Sequence, residues 1–344
     1  MTVSVTDLQY VALAVPDIAV ESDFFRDVWK LEPAGERDGM VYLAAAGSPH
    51  PYVLRLRQDG ARKTDLIGYS AASRADVDAL FGQVQASGAR IISVPGDASG
   101  PAGGYAFRAF DPDGHAFEVV AESRQRDVTE VPPAMAVPLR ISHVVLHSPA
   151  HKALEQWYRE VLGFRLSDWL GDFMVFLRCN PAHHRLAILP GPPALNHIAF
   201  DVASVDALMR GLARMNGAGI ELQWGPGRHT AGNNTFTYYT TPNGNTVEYT
   251  SDLEEVDEET WQPKVHTPGL ETMDQWGTGR IIPGNKPHAE MAPDPALWQV
   301  PAPAGPAGRA SRGPFCKRPG PRGSTTVRWR RCRRRATRAC CRGI

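Results

Sequence analysis

The sequence predicts an α+β chain of four strand–helix–strand–strand–strand (βαβββ) modules, paired into two homologous halves. Two observations carry this reading: the chain repeats itself at a spacing of about 130 residues, and hydrophobic periods of two and of 3.6 alternate in the same order inside each half. Within SDFFRDVWKLEPA (22–34) and LEQWYREVLGFRL (154–166), Phe25, Arg26, Asp27 and Val28 fall on Tyr158, Arg159, Glu160 and Val161 at an offset of 133. VDALFGQVQASGARI (77–91) matches VDALMRGLARMNGAGI (205–220) at 128, and DPDGHAFEVV (111–120) matches TPNGNTVEYT (241–250) at 130. The matches fall in one order, and the repeated halves span about 8–122 and 139–252.

The elements are clearest in the second half. HVVLHS (143–148) is a short, largely apolar run and reads as a strand. Over 150–162, Leu154, Trp157, Tyr158, Val161 and Leu162 recur at helical spacing, and Gly163 ends the helix. FMVFLRC (173–179) and RLAILP (185–190) read as strands. The cycle then restarts with NHIAFDV (196–202), a helix at 204–215, and strands ending at NTVEYT (245–250). PDG (112–114) and PNG (242–244) supply the turn before each half's last strand.

Composition narrows the function classes. With 344 residues, 42% hydrophobic and 22% charged, the chain is that of a soluble globular protein with room for two domains. No apolar run of eighteen or more residues is present, so no membrane partner is expected. The N-terminus, MTVSVTDLQYVALAVPD, does not read as a secretory signal. The chain has 37 basic and 37 acidic residues, but 13 of the basic ones and no acidic one follow Arg309 inclusive. The body up to residue 308 is therefore strongly acidic, which argues against a nucleic-acid partner. Cys179 is the body's single cysteine, while Cys316, Cys332, Cys340 and Cys341 lie in the tail. A body with one cysteine is no disulfide framework, and a cytoplasmic location is the expectation.

Three residues form a candidate metal constellation. His143 opens the first strand of the third module, His197 opens the equivalent strand of the fourth, and Glu248 sits in the fourth module's last strand. Two imidazoles and one carboxylate on a single face suit a mononuclear iron(II) site that activates oxygen, because they leave coordination positions open. The repeat provides an internal control. Applying the local offsets puts Tyr10 at the place of His143, Tyr69 at that of His197 and Glu118 at that of Glu248, so the first half is expected to carry no iron and to act as scaffold.

The second half resembles the type I extradiol ring-cleavage dioxygenases of the vicinal oxygen chelate (glyoxalase-like) superfamily. The resemblance covers 8–252 in architecture and 141–250 in motif. It is strongest over GRHTAGNNTFTYYTTPNGNTVE (227–248), where Gly227, His229, Tyr238, Thr241, Pro242, Gly244 and Glu248 fall on the family's signature, Thr237 standing where an apolar residue is usual. CNPAHHRLAI (179–188) is a second matching stretch. The resemblance implies two tandem barrel domains, with His143, His197 and Glu248 as iron ligands and manganese(II) able to replace iron(II). It also implies His184 as a proton-shuttling pocket residue, and His229 and Tyr238 as residues that hydrogen-bond the substrate. Some members carry an Asp three positions after His229, where this chain has Gly232. His147, His151, His183 and Cys179 are read as structural or exposed.

The expected organisation is 1–128 for a non-metal N-terminal domain, 129–138 for a linker, and 139–252 for the catalytic domain. An irregular extension (253–300) packs on the body, and a disordered Arg/Pro/Gly-rich tail (301–344) follows, whose abrupt composition also fits an out-of-frame end. The implied activity is insertion of both atoms of O2 into a catechol-type diol, with homo-oligomers common among relatives. The alternatives are a non-redox metal-dependent isomerase or lyase, and a metal-free small-molecule binding protein of the same fold.

Overall fold

The computed structural model describes residues 3–128 and 130–279. The tail at 301–344 and the end of the extension lie outside the described residues. In the first half, β1 (Asp7–Val15) leads into α1 (Ile18–Asp23), which continues as a π-helical stretch over Phe24–Val28. Next come β2 (Glu32–Arg37), β3 (Met40–Ala44) and β4 (Leu54–Gln58). The second module is β5 (Lys63–Ser70), α2 (Arg74–Ala86), β6 (Ile91–Asp97), β7 (Tyr105–Phe110) and β8 (Ala116–Ala121). The third is β9 (Arg140–Ser148), α3 (His151–Val161), β10 (Arg165–Leu170), β11 (Met174–Arg178) and β12 (Leu186–Pro190). The fourth is β13 (Ala194–Asp201), α4 (Val205–Gly217), β14 (Leu222–Arg228), β15 (Thr235–Thr240) and β16 (Thr246–Ser251). The extension adds β17 (Lys264–His266) and α5 (Leu270–Met273). These are the four expected modules, and none of the described helices is long and apolar enough to cross a membrane.

Each half makes one sheet. The orders are β2-β3-β4-β1-β5-β8-β7-β6 and β14-β15-β16-β13-β9-β12-β11-β10-β17. Two modules therefore meet at one antiparallel junction per half, β1 with β5 and β9 with β13. Alternation along the strands separates two faces. Val11, Leu13, Val144 and Leu146 enter a large buried cluster shared by both halves, while Tyr10 and Ala12, or Val145, enter smaller clusters on the opposite faces.

The halves are clasped through reciprocal turns. The buried Glu21 of α1 accepts hydrogen bonds from Thr241 Oγ1 (2.6 Å), Asn243 N (3.0 Å), Asn243 Nδ2 (2.8 Å) and Asn245 Nδ2 (2.7 Å). In the mirror arrangement, Asp111 in the turn before β8 accepts from Tyr158 of α3 (3.1 Å) and His115 Nδ1 (2.8 Å). Trp29 stacks on Tyr249 at 3.7 Å between ring centres, sealing the same seam.

Strand register corrects one equivalence. Tyr10 pairs with Gly68 and Gly68 with Glu118, as His143 pairs with Ala199 and Ala199 with Glu248. Leu66 pairs with Ala12 as His197 pairs with Val145, so the residue at the place of His197 is Leu66 and not Tyr69. Tyr69 points to the other face, edge-on to Tyr158 and Phe164. The helices explain the slip: α2 buries Val77, Leu80 and Val84, and α4 buries Leu208, Gly211 and Met215, all at an offset of 131. The VDAL match at 128 is displaced by three residues, close to one helical turn, so it preserves much of the apolar pattern.

In the first half, the face bearing Tyr10, Leu66 and Glu118 is closed by side chains. Arg108, paired with Glu118 across β7 and β8, donates to its Oε2 at 2.7 Å, and the Tyr10 hydroxyl donates to Oε1 at 2.8 Å. Arg108→Met leaves this carboxylate, 4% exposed, without its cation. The expected loss is about 3 kcal/mol of unfolding free energy, since breaking a buried pair strands the remaining charge. An unchanged midpoint in urea melts would contradict this account.

Candidate metal centre

Ala199 is the small residue around which the three candidate ligands gather. It pairs with His143 on one side and Glu248 on the other, and His197 stands two positions before it on the same strand. Neighbours in register share a face, as do residues two apart along a strand, so all three side chains project from one side of the sheet. Their donor atoms lie within 4.8 Å of one another, and all three residues are buried. His143 Nε2 is 3.2 Å from Glu248 Oε2, and His197 Nε2 is 3.1 Å from the same atom.

The donor set fits a divalent cation. Bonds of about 2.1 Å at right angles place neighbouring donors about 3.0 Å apart, close to both separations. Among the described residues, His197 Nε2 and both Glu248 oxygens are buried without a hydrogen-bond partner. Burial alone would raise the Glu248 pKa, but His143 and His197 outweigh it and hold the carboxyl well below the usual range. Burial likewise lowers the His197 pKa against the pull of Glu248. An ionised carboxylate and a neutral imidazole are the states in which these groups bind metal.

The tautomer of His197 follows from its neighbours. A carbonyl oxygen can only accept, so His147 Nδ1 donates to Pro190 O (3.2 Å). His147 Nε2 then accepts from Asn196 Nδ2 (2.9 Å), and Asn196 Oδ1 accepts from His197 Nδ1 (2.6 Å). This leaves the His197 Nε2 lone pair facing Glu248, the outer-shell arrangement typical of a ligating histidine.

His184, His229 and Tyr238 are brought to the same place. The His184 ring is 4.3 Å from that of His143, and the Tyr238 ring is 5.1 Å from that of His197. Tyr238 pairs directly with Glu248 across β15 and β16. His229 Nδ1 donates to Met273 O at 2.7 Å, so its Nε2 accepts the Tyr238 hydroxyl at 3.2 Å. Burial drives the His184 pKa well below its ordinary value, with His143, His183 and His229 adding to the effect. Burial also lowers that of His229, while burial and then Glu248 push the Tyr238 phenol up. Two neutral imidazoles and one protonated phenol thus surround the triad.

Sequence reasoning missed several supporting residues. Trp224 stacks on Tyr238 at 5.1 Å and 17°, and Phe236 on His229 at 4.1 Å and 17°. Asn196 was readable as a polar neighbour beside His197. The Met273 carbonyl comes from the extension, where no pattern pointed to the site. His183, read as structural or exposed, is wholly buried and bonded to His184.

An apolar wall continues the face sideways. Val145 pairs with His197, Ala187 with Val145 and Phe176 with Ala187, forming a row across four strands. Leu170, Leu189 and Ala231 join them, with Met174 and Met273 packed against the cluster.

The chain matches the Glyoxalase/Bleomycin resistance protein/Dioxygenase superfamily over residues 7–119 and 140–249. Among solved structures, it is similar to the Mn(II)-bound glyoxalase from Novosphingobium aromaticivorans, with 49% identity and a TM-score of 0.83, covering 85% of this chain and 97% of that one. It is 28% identical to metapyrocatechase 2 of Cupriavidus necator, over 80% of this chain and 89% of that protein. It is 23% identical to the manganese-dependent 2,3-dihydroxybiphenyl 1,2-dioxygenase of Geobacillus genomosp. 3, over 76% and 90%. The superfamily match takes in both module pairs and leaves out only the chain ends and the linker, so the chain belongs to the Glyoxalase/Bleomycin resistance protein/Dioxygenase superfamily.

Proposed function

We propose that the protein is an extradiol ring-cleavage dioxygenase, which inserts both atoms of O2 into a catechol-type diol at a metal held by His143, His197 and Glu248. One observation carries the reading: a buried two-histidine, one-carboxylate set has three further polar groups, His184, His229 and Tyr238, gathered about it. The two named dioxygenase relatives point the same way. Iron(II) is the proposed metal, and the same donors suit manganese(II). When bound, the metal supplies Lewis acidity toward the diol oxygens and a route for electrons from diol to O2.

The side chains divide the remaining work. The Tyr238 hydroxyl keeps its proton and can turn it from His229 Nε2 to a substrate oxygen. His229 orients that hydroxyl and is itself anchored on Met273 O. His184, neutral and buried, can take a proton from a diol hydroxyl and return it to the product. The apolar wall excludes water and seats the ring. That apolar lining favours uncharged alkyl- or aryl-substituted catechols over carboxylate-bearing ones.

A non-redox metal-dependent isomerase or lyase is the second reading, favoured by the 49% identity to the Mn(II)-bound glyoxalase. Oxygen uptake separates the two. Anaerobically purified protein supplied with iron(II), a catechol and then air is expected to consume oxygen and form a yellow ring-opened product. Metal-dependent turnover without oxygen uptake would favour the second reading.

Three further outcomes are expected. Glu248→Gln and His197→Ala should lose bound metal by elemental analysis, and with it the stabilisation that metal gives the wild type, about 2.7 kcal/mol at one hundred times Kd. Variants that retain a full complement of metal would refute the ligand assignment. His184→Gln should keep its metal yet lower kcat by about 10²-fold, the scale of general acid–base catalysis. In substrate profiling, kcat/KM should be higher for 3-alkyl and 3-aryl catechols than for carboxylate-bearing ones, and the reverse order would contradict the reading of the wall.

A further inference from the structure

Beside the metal centre lies a second buried chain of hydrogen bonds. His183 Nδ1 is 3.0 Å from His184 Nδ1, and His183 Nε2 is 3.2 Å from Asp168 Oδ2. The same Asp168 oxygen is 2.7 Å from His266 Nε2, and Asp168 Oδ1 accepts from the Lys264 backbone amide at 2.8 Å. His183 and Asp168 are almost fully buried, at 0% and 3% side-chain exposure. A shift in strand register between Leu166 and Asp168 marks the point where β10 carries this carboxylate.

We infer that Asp168, acting through His183, fixes the tautomer of His184 so that its Nε2 is left unprotonated on the metal side. A carboxylate can only accept hydrogen bonds, so the hydrogen on each imidazole facing Asp168 belongs to the imidazole. His183 therefore carries its hydrogen on Nε2. A neutral His183 then has only a lone pair at Nδ1, and the contact with His184 requires the hydrogen of His184 Nδ1. A neutral His184 has no second hydrogen to place on Nε2.

Three observations support this. Burial would raise the Asp168 pKa, but His183, His266 and the Lys264 amide outweigh it, so the group remains an ionised acceptor. Gly232, at φ +81°, leaves space for the two rings: a Cβ there would stand 3.2 Å from both His183 Nδ1 and His184 Cε1. Trp261 closes over His183 at 5.6 Å between ring centres.

The consequence for turnover rests on the dioxygenase reading. A diol hydroxyl reaching the pocket meets a free lone pair on Nε2. Its O–H bond breaks, the electron pair stays on oxygen, and the proton moves to His184 Nε2, while the Nδ1 hydrogen stays on His184, donated to His183 Nδ1. Asp168 and His183 are positioning residues in this account, since neither touches the substrate.

Nitrogen-15 NMR of histidine-labelled, full-length protein tests the inference, with diamagnetic zinc in the metal site. The His184 signals are assigned by their loss in His184→Gln. Nδ1 is expected in the protonated range and Nε2 in the unprotonated range, and the opposite assignment overturns the inference. Asp168→Asn provides a second arm. The Lys264 amide holds the Asn carbonyl oxygen, so the NH2 group falls at the place of Oδ2 and donates to His183 Nε2. Every hydrogen then reverses, and His184 should carry Nε2–H with a fall in kcat of about 10²-fold. An unchanged His184 spectrum in this variant removes Asp168 from the role. If the variant does not fold, the wild-type spectrum decides alone. The readout is independent of activity: the inferred tautomer in a protein that takes up no oxygen sinks the dioxygenase reading and leaves this one standing.

Discussion

Glu248 sets the terms for the second half. A carboxylate wholly removed from water costs several kcal/mol unless a partner compensates it, and among the described residues no hydrogen bond satisfies it. Sheet register places two imidazoles beside it and the small Ala199 between them. Everything farther out serves to hold those imidazoles: Asn196 and His147 lock one ring, and Trp224 and Phe236 stack on the groups around it. The first half has the same carboxylate, Glu118, at the same register and answers it with the Arg108 guanidinium and the Tyr10 hydroxyl. One scaffold thus holds two solutions to one electrostatic problem, a fixed internal cation in one half and the proposed cation-binding site in the other.

Much of this was legible in the sequence because repeats and strand alternation are local signals. The modules, the turns at PDG and PNG, and the convergence of His143, His197 and Glu248 all follow from periodicity applied twice. The assignment of Tyr69 failed for a physical reason. Helix α2 tolerates a three-residue slide in alignment because nearly a full turn restores its apolar stripe, whereas a strand moved by an odd number of residues turns its side chains to the other face. Strand register, and not the better-looking helix match, identifies Leu66 as the counterpart of His197.

What stayed hidden depends on contacts between distant segments. Asp168, His183 and His266 come from β10, the loop before β12, and β17, and no spacing rule links them. The partner of His229 is a backbone carbonyl at Met273, which has no side-chain signature at all. The orientation of neutral histidines is decided at such ends, by groups that can only accept, and these are the least visible from residue types alone.

The extension also gives the site a direction in time. His143, His197 and Glu248 all precede the segment that supplies Lys264, His266 and Met273. In a chain made from the N-terminus onward, the donor triad and the apolar wall from Val145 to Ala231 are already present when Lys264, His266 and Met273 are added. Synthesis therefore supplies last the groups that contact Asp168 and anchor His229.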